Sequence, residues 1–246
     1  MNIGLTPEYI GSIVGIPFTN TFFTTVIVSV LLIALAVWFW LADAHEERFL
    51  STEALRVLVY EFLKLTDTVT KNRALSKRIL PLVVTFFLFI VTANLLALIP
   101  GFLGSFYVQT ANGPIALLRS PNSDLTLTLA LAVVSVIATQ WFSVRILGVK
   151  KYIARFLDFK NPVAFVTGFF EMISEGVKIL SFSFRLFGNV FAGEVLLLLA
   201  GFLVPYLIPI PFMVLEIFVG IIQAFIFAIL TLTFVKSGTM KRSVSL

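Results

Sequence analysis

Residues 181–201 read Ser-Phe-Ser-Phe-Arg-Leu-Phe-Gly-Asn-Val-Phe-Ala-Gly-Glu-Val-Leu-Leu-Leu-Leu-Ala-Gly. The run is apolar enough to sit in hydrocarbon, yet Arg185, Asn189 and Glu194 interrupt it. A charge at the centre of a bilayer costs about 2.5–3.5 kcal/mol on insertion scales, so residues of this kind face a partner, a cavity or water. The rest of the chain has the same character. It is 59% apolar and 13% charged, against about 25% charged in an ordinary soluble domain. With 27 Phe and several apolar stretches of membrane-spanning length, it reads as an all-α polytopic membrane protein forming one integral membrane domain over 1–246. Arg185 is taken as the centre of function.

Working outward, the spans fall at 21–41, 79–99, 123–147, 162–202 and 212–235. Trp38 and Trp40 close the first as an interfacial belt. Between the first two spans, apolar residues at Leu55, Leu58, Val59, Phe62, Leu63 and Leu65 mark an amphipathic interfacial helix over about 46–72. Pro81 marks entry to the second span and Pro100-Gly101 its end, while Asn122 or Ser123 is the expected N-cap of the third. The fourth stretch exceeds what a membrane needs, so it is expected to be tilted or curved. Pro205, Pro209 and Pro211 make the turn that sets the last two spans antiparallel.

Basic residues alternate from link to link. Arg48, Arg56, Lys64, Lys71, Arg73, Lys77 and Arg78 precede the second span, and only Arg119 precedes the third. Arg145, Lys150, Lys151, Arg155 and Lys160 follow the third span, and Lys236, Lys241 and Arg242 follow the last. The positive-inside rule then puts the N-terminus outside and the C-terminus in the cytoplasm. The +5 formal charge therefore belongs to a membrane surface rather than to nucleic acid. We expect no cleavable signal, because no basic region precedes the first apolar run. Without cysteine there are no disulfides or thiolate sites. His45, the sole histidine, is read as an interfacial residue, and no metal or other cofactor is expected. No internal repeat of the secondary-transporter kind is visible.

On an ideal helix Arg185 and Asn189 are neighbours one turn apart, whereas Glu194 points to roughly the opposite side. The arginine thus addresses one surface and the glutamate another. In the last span Glu216 and Gln223 share a face. An antiparallel register brings Gln223 near the level of Arg185 and Glu216 near that of Glu194. Two carboxyls at one depth should not both be ionised, and such a pair suits proton exchange. Arginine holds its proton, so it can attract a carboxylate but cannot relay a proton. Plainer readings stand beside these. Arg185 could pair with a helix carbonyl or a lipid phosphate, and Glu194 with Glu216 could be a structural pair. Glu171, Glu175 and Lys178 read as snorkelling to the interface. Gly188, Gly193 and Gly201 could serve close helix packing. Asp124 serves the start of its helix or lines an outer vestibule.

The run Ser183-Phe184-Arg185-Leu186-Phe187-Gly188-Asn189, followed by Ala192-Gly193-Glu194, resembles the signature of subunit a of F-type ATP synthases. Asn94-Leu95-Leu96-Ala97-Leu98-Ile99-Pro100 and Gln223-Ala224-Phe225-Ile226-Phe227 resemble two further segments of that family, in the expected order. The resemblance implies a stator beside a rotating ring of c subunits, with peripheral-stalk b subunits, other ATP synthase subunits and membrane lipid as partners. Arg185 would face the ring carboxylate, with Asn189 and Gln223 as its polar neighbours. Glu194 and Glu216 would lie on the outer half-channel for protons, and Glu175 on the inner side. This chain departs from relatives that carry a histidine at one outer position, and from those with a proline between Glu175 and Arg185, where Ile179-Leu180 stand here. The two intramembrane glutamates would also suit a sodium-translocating version, although no dedicated cluster of oxygen ligands is evident.

The chain has no Gly-x-x-x-x-Gly-Lys-Ser/Thr loop, so it is not expected to hydrolyse ATP itself. The short basic loops and the missing transit peptide point to a bacterial plasma membrane over an organellar one. The competing functional readings are a membrane-protein insertase with an intramembrane arginine and a self-contained ion channel.

Overall fold

A computed structural model describes residues 9–13, 16–44, 50–99, 107–110, 113–116, 118–156, 162–203 and 207–239. Five of its helices are long and apolar enough to cross a membrane: α1 (Asn20–Ala44), α3 (Arg73–Leu98), α4 (Leu125–Leu147), α6 (Pro162–Leu203) and α7 (Pro209–Thr239). Two shorter helices, α2 (Leu50–Thr70) and α5 (Val149–Phe156), follow α1 and α4. Antiparallel strand pairs β1 (Tyr9–Ile13) with β2 (Ile16–Thr19) and β3 (Tyr107–Thr110) with β4 (Gly113–Ala116) precede α1 and α4. His45, Pro100, Gly101, Lys160, Pro205, Lys241 and Arg242 lie outside the described residues.

Helix boundaries differ from expectation where a cap decides them. Lys71 turns the chain with a positive φ of 54°, and the Asn72 side chain accepts from the backbone N–H groups of Ala74 and Leu75. The helix therefore starts at Arg73, and Pro81 lies inside it rather than at its entry. Neither Asn122 nor Ser123 caps α4. Both belong to a 3-10 turn, Pro121–Ser123, and Asp124 is the N-cap, accepting from Thr126 N–H. A carboxylate at this position also suits the positive end of the helix. Pro209 and Pro211 open α7 instead of forming the turn before it. Proline's missing N–H falls among donors that the first helical turn leaves unpaired anyway.

Neighbouring spans alternate in direction. Thr21 at the start of α1 donates to Asp124 at the start of α4, and Gly201 near the end of α6 approaches Pro209. These contacts define one end of the bundle, here called the near end. At the far end Lys236 of α7 donates to the Thr70 carbonyl at the close of α2, 2.6 Å away. In α6, 42 residues without an internal proline give about 63 Å of helix, twice the roughly 30 Å of a hydrocarbon core.

The bundle centre is aromatic. Phe86 and Ile90 of α3, Phe182, Leu186 and Val190 of α6, and Phe227 of α7 are buried together, with the Phe227 ring packed at a tilt against Phe182 and Phe86 at centroid distances of 4.7 and 5.2 Å. Lipid is as apolar as these side chains, so close packing and polar contacts hold the helices rather than exclusion from water. Hydroxyl pairs cross between helices, Ser135 with Thr231 at 2.8 Å and Thr128 with Ser183 at 3.2 Å, each worth about 0.6 kcal/mol. The amphipathic α2 turns Thr52, Phe62, Thr66 and Thr70 inward, and Phe62 meets Phe87 of α3 and Phe225 of α7.

Candidate functional site

Arg185 is exposed on α6, where its guanidinium reaches, among the described residues, only the Ser181 hydroxyl one turn earlier, 3.2 Å away. No acidic group among the described residues pairs with it. The surrounding surface is otherwise greasy: Val177, Leu180 and Phe184 of α6 and Phe218, Ile221 and Ile222 of α7 are all exposed. A Cβ placed on Gly188, one turn further on, would meet nothing within 4 Å. A permanent cation therefore stands on an apolar outer face with room beside it. The plainer reading, Arg185 paired with a helix carbonyl, is not seen among the described residues.

One turn toward the near end the chemistry changes side. Asn189 donates to Gln223 of α7 at 2.8 Å, and Gln223 is buried. Gln223 therefore lies opposite Asn189, a turn away from the level of Arg185. Further along, Gly193 packs directly on the Glu216 carboxyl, leaving no room for a Cβ. Glycine here is a steric requirement of the carboxyl's position. Glu194 points away from the arginine face, as its helical angle demands. Its carboxyl lies beside Ser123 and Arg119 in the α3–α4 link and within electrostatic reach of Glu216, and its Oε1 is buried without a hydrogen-bond partner.

Asn94, Asn189, Glu194, Glu216, Gly220 and Gln223 line one cavity of about 30 Å³, where a single water needs roughly 10–15 Å³. The unsatisfied Glu194 oxygen beside it is the kind of group that ordered water completes. Asn94 extends the polar set beyond the sequence-derived residues. It donates to the Gly220 carbonyl at 3.0 Å and accepts from Asn122 at 2.7 Å. A polar amide alone in the apolar run 79–99 was the available signal. Ser123 and Arg119 carried no comparable mark, because only folding brings them to Glu194, whereas Ser181 is a one-turn neighbour of Arg185 by spacing alone.

Glu175 is not part of this group. Three residues before Lys178 on α6, it pairs with that lysine at 2.6 Å, and its Oε2 is buried without a partner. Lys178 also lies over the Phe234 ring, 4.6 Å from its centroid. The two residues thus hold one another against α7 on the far-end side of Arg185. The structure brings together Asn189, Gln223, Glu194 and Glu216, leaves Arg185 on the outer face, and keeps Glu175 apart.

Fold and site define a class: an integral membrane helical protein with a polar cluster inside its bundle and a lone cation on its apolar surface. The family model described as ATP synthase A chain matches residues 22–236. The chain belongs to this family, F-type ATP synthase subunit a, and is a membrane-sector subunit of an ATP synthase. It is 37% identical over 162 residues to ATP synthase subunit a of Moorella thermoacetica, covering 66% of this chain and 65% of that protein. Against the Legionella pneumophila (strain Paris) protein of the same description it is 29% identical over 240 residues, 96% and 93% of the two chains. Against that of Campylobacter jejuni (strain RM1221) it is 33% identical over 174 residues, 71% and 70%.

Proposed function

We propose that the chain conducts protons as the stator beside a rotating ring of c subunits and does no ATP chemistry itself. The single observation that carries the reading is Arg185, a cation on an apolar outer face with, among the described residues, no acidic partner and only Ser181 bound to it. In hydrocarbon such a charge is tolerable when an opposite charge from outside meets it. A ring carboxylate passing this face is drawn into its ionised form and sheds its proton. The guanidinium blocks direct leakage because it does not release its own proton.

The cavity cluster supplies one route to that point. Protons enter at the near end, assigned to the outside, and pass Glu194 and Glu216 to the Asn189–Gln223 pair. Glu175 serves the inner route on the far, cytoplasmic side, with its unpartnered oxygen as the proton acceptor. Peripheral-stalk b subunits and other synthase subunits complete the assembly, in a bacterial plasma membrane with the N-terminus outside. The family match speaks against the insertase and self-contained-channel readings. The test is Arg185→Ala in the assembled complex. Proton-driven ATP synthesis should vanish while the c ring still copurifies; normal coupled synthesis in that variant contradicts the proposal.

A further inference from the structure

The far end of the bundle holds a second cavity, of about 360 Å³, lined by Thr70, Asn72, Arg78, Ile146, Lys236 and Thr239 among others. One water needs only roughly 10–15 Å³, so the space suits a group much larger than a lone ion. It is walled by the α2–α3 link and the terminal turns of α4 and α7. Its charge is one-sided: Arg78 and Lys236 contribute two cations and, among the described residues, no acidic side chain lines it. Lys236 spends one donor on the Thr70 carbonyl and has others left, while Arg78 has no ion pair among the described residues. Asp67, the acid on neighbouring α2, is held by Arg73.

Depth and wall chemistry narrow the ligand. Arg78 stands where the apolar part of α3 begins, and Lys236 where that of α7 ends. On α4, Arg145 lies over the ring of Trp141, 4.9 Å from its centroid, and Trp141 is 58% exposed. An exposed Trp–Arg pair is typical of the headgroup level. Ile146, 45% exposed, offers an apolar flank on the same wall. We propose that this cavity binds a phosphate-bearing anion, with Arg78 and Lys236 as its ligands, at the depth of a phospholipid headgroup. The site lies apart from Arg185 and does not depend on the proton route.

The test uses the full chain in nanodiscs of neutral phosphatidylcholine, titrated with phosphatidylglycerol and, separately, with inorganic phosphate. Each basic residue near a membrane surface contributes to anion attraction, so Arg78→Gln with Lys236→Gln should weaken phosphatidylglycerol binding roughly 30-fold. Arg78→Lys with Lys236→Arg should retain most of it. Phosphate competing at millimolar concentration would assign the site to the free anion; no competition assigns it to the lipid headgroup. A photoactivatable phosphatidylglycerol on the wild-type chain removes dependence on the variants' folding: its adducts should fall on peptides containing Leu75 or Ile146. Unchanged binding by the Gln variant, or adducts only elsewhere, overturns the proposal.

Discussion

Gly193→Ala is the sharpest small perturbation the structure offers. A Cβ at this position would land on Cδ, Oε1 and Oε2 of Glu216, closer than real atoms approach. The obstruction is the tip of a flexible side chain, so Glu216 can turn away. An off-rotamer side chain costs about 0.5–1.5 kcal/mol, well inside a typical folding stability of about 5–15 kcal/mol, and the complex should assemble. The carboxyl, however, must move by at least about 1 Å, and a misplacement of that size can slow a positioned reaction by about 10²-fold. Proton flux in inverted membrane vesicles, read by a pH-sensitive dye, should fall by one to two orders of magnitude at unchanged assembly. Shortening the acid in the double variant Gly193→Ala with Glu216→Asp should recover part of the loss, a coupling measurable as a double-mutant cycle. Full flux in Gly193→Ala, or no coupling between the two positions, would refute the reasoning.

Other consequences follow from single contacts. Gly188→Leu meets open space within the chain, so the isolated protein should melt as wild type while copurification with the c ring fails; intact ring binding would remove Gly188 from the docking face. Asn94→Ala strands the Asn122 amide, while the Gly220 carbonyl keeps its place in the α7 hydrogen-bond ladder, and should cost roughly 1–3 kcal/mol of stability in denaturation of the purified chain. At Asp67 the Ser76 hydroxyl, and then the Arg73 guanidinium, hold the carboxyl below its usual value of 3.8. Its contribution is therefore complete above that value and is lost as pH falls through the lowered one. Melting curves between about pH 2 and 5 should lose part of their pH dependence in Asp67→Asn.

The long apolar runs made the spans legible, because a bilayer demands the same pattern of every helix that crosses it. The opposed directions of Arg185 and Glu194 were equally legible, since a nine-residue separation fixes a helical angle. What the chain alone did not reveal were features made by neighbours. Asp124 takes the cap from Asn122 because the 3-10 turn draws Asn122 toward Asn94. Gln223 faces Asn189 instead of Arg185 because the register between α6 and α7 is set by the packing of Gly193 on Glu216 and of Gly201 on Pro209. The strand pairs, with proline in β2 and β4, lack the alternating pattern that announces a strand.

The most direct measurement is a density map of the assembled membrane complex at side-chain resolution, read at Arg185. The account predicts a c-subunit carboxyl within roughly 4 Å of the guanidinium, or one bridging water further, on the face shared with Gly188. Lipid acyl chains against that face, with no carboxyl from another subunit near it, would contradict it.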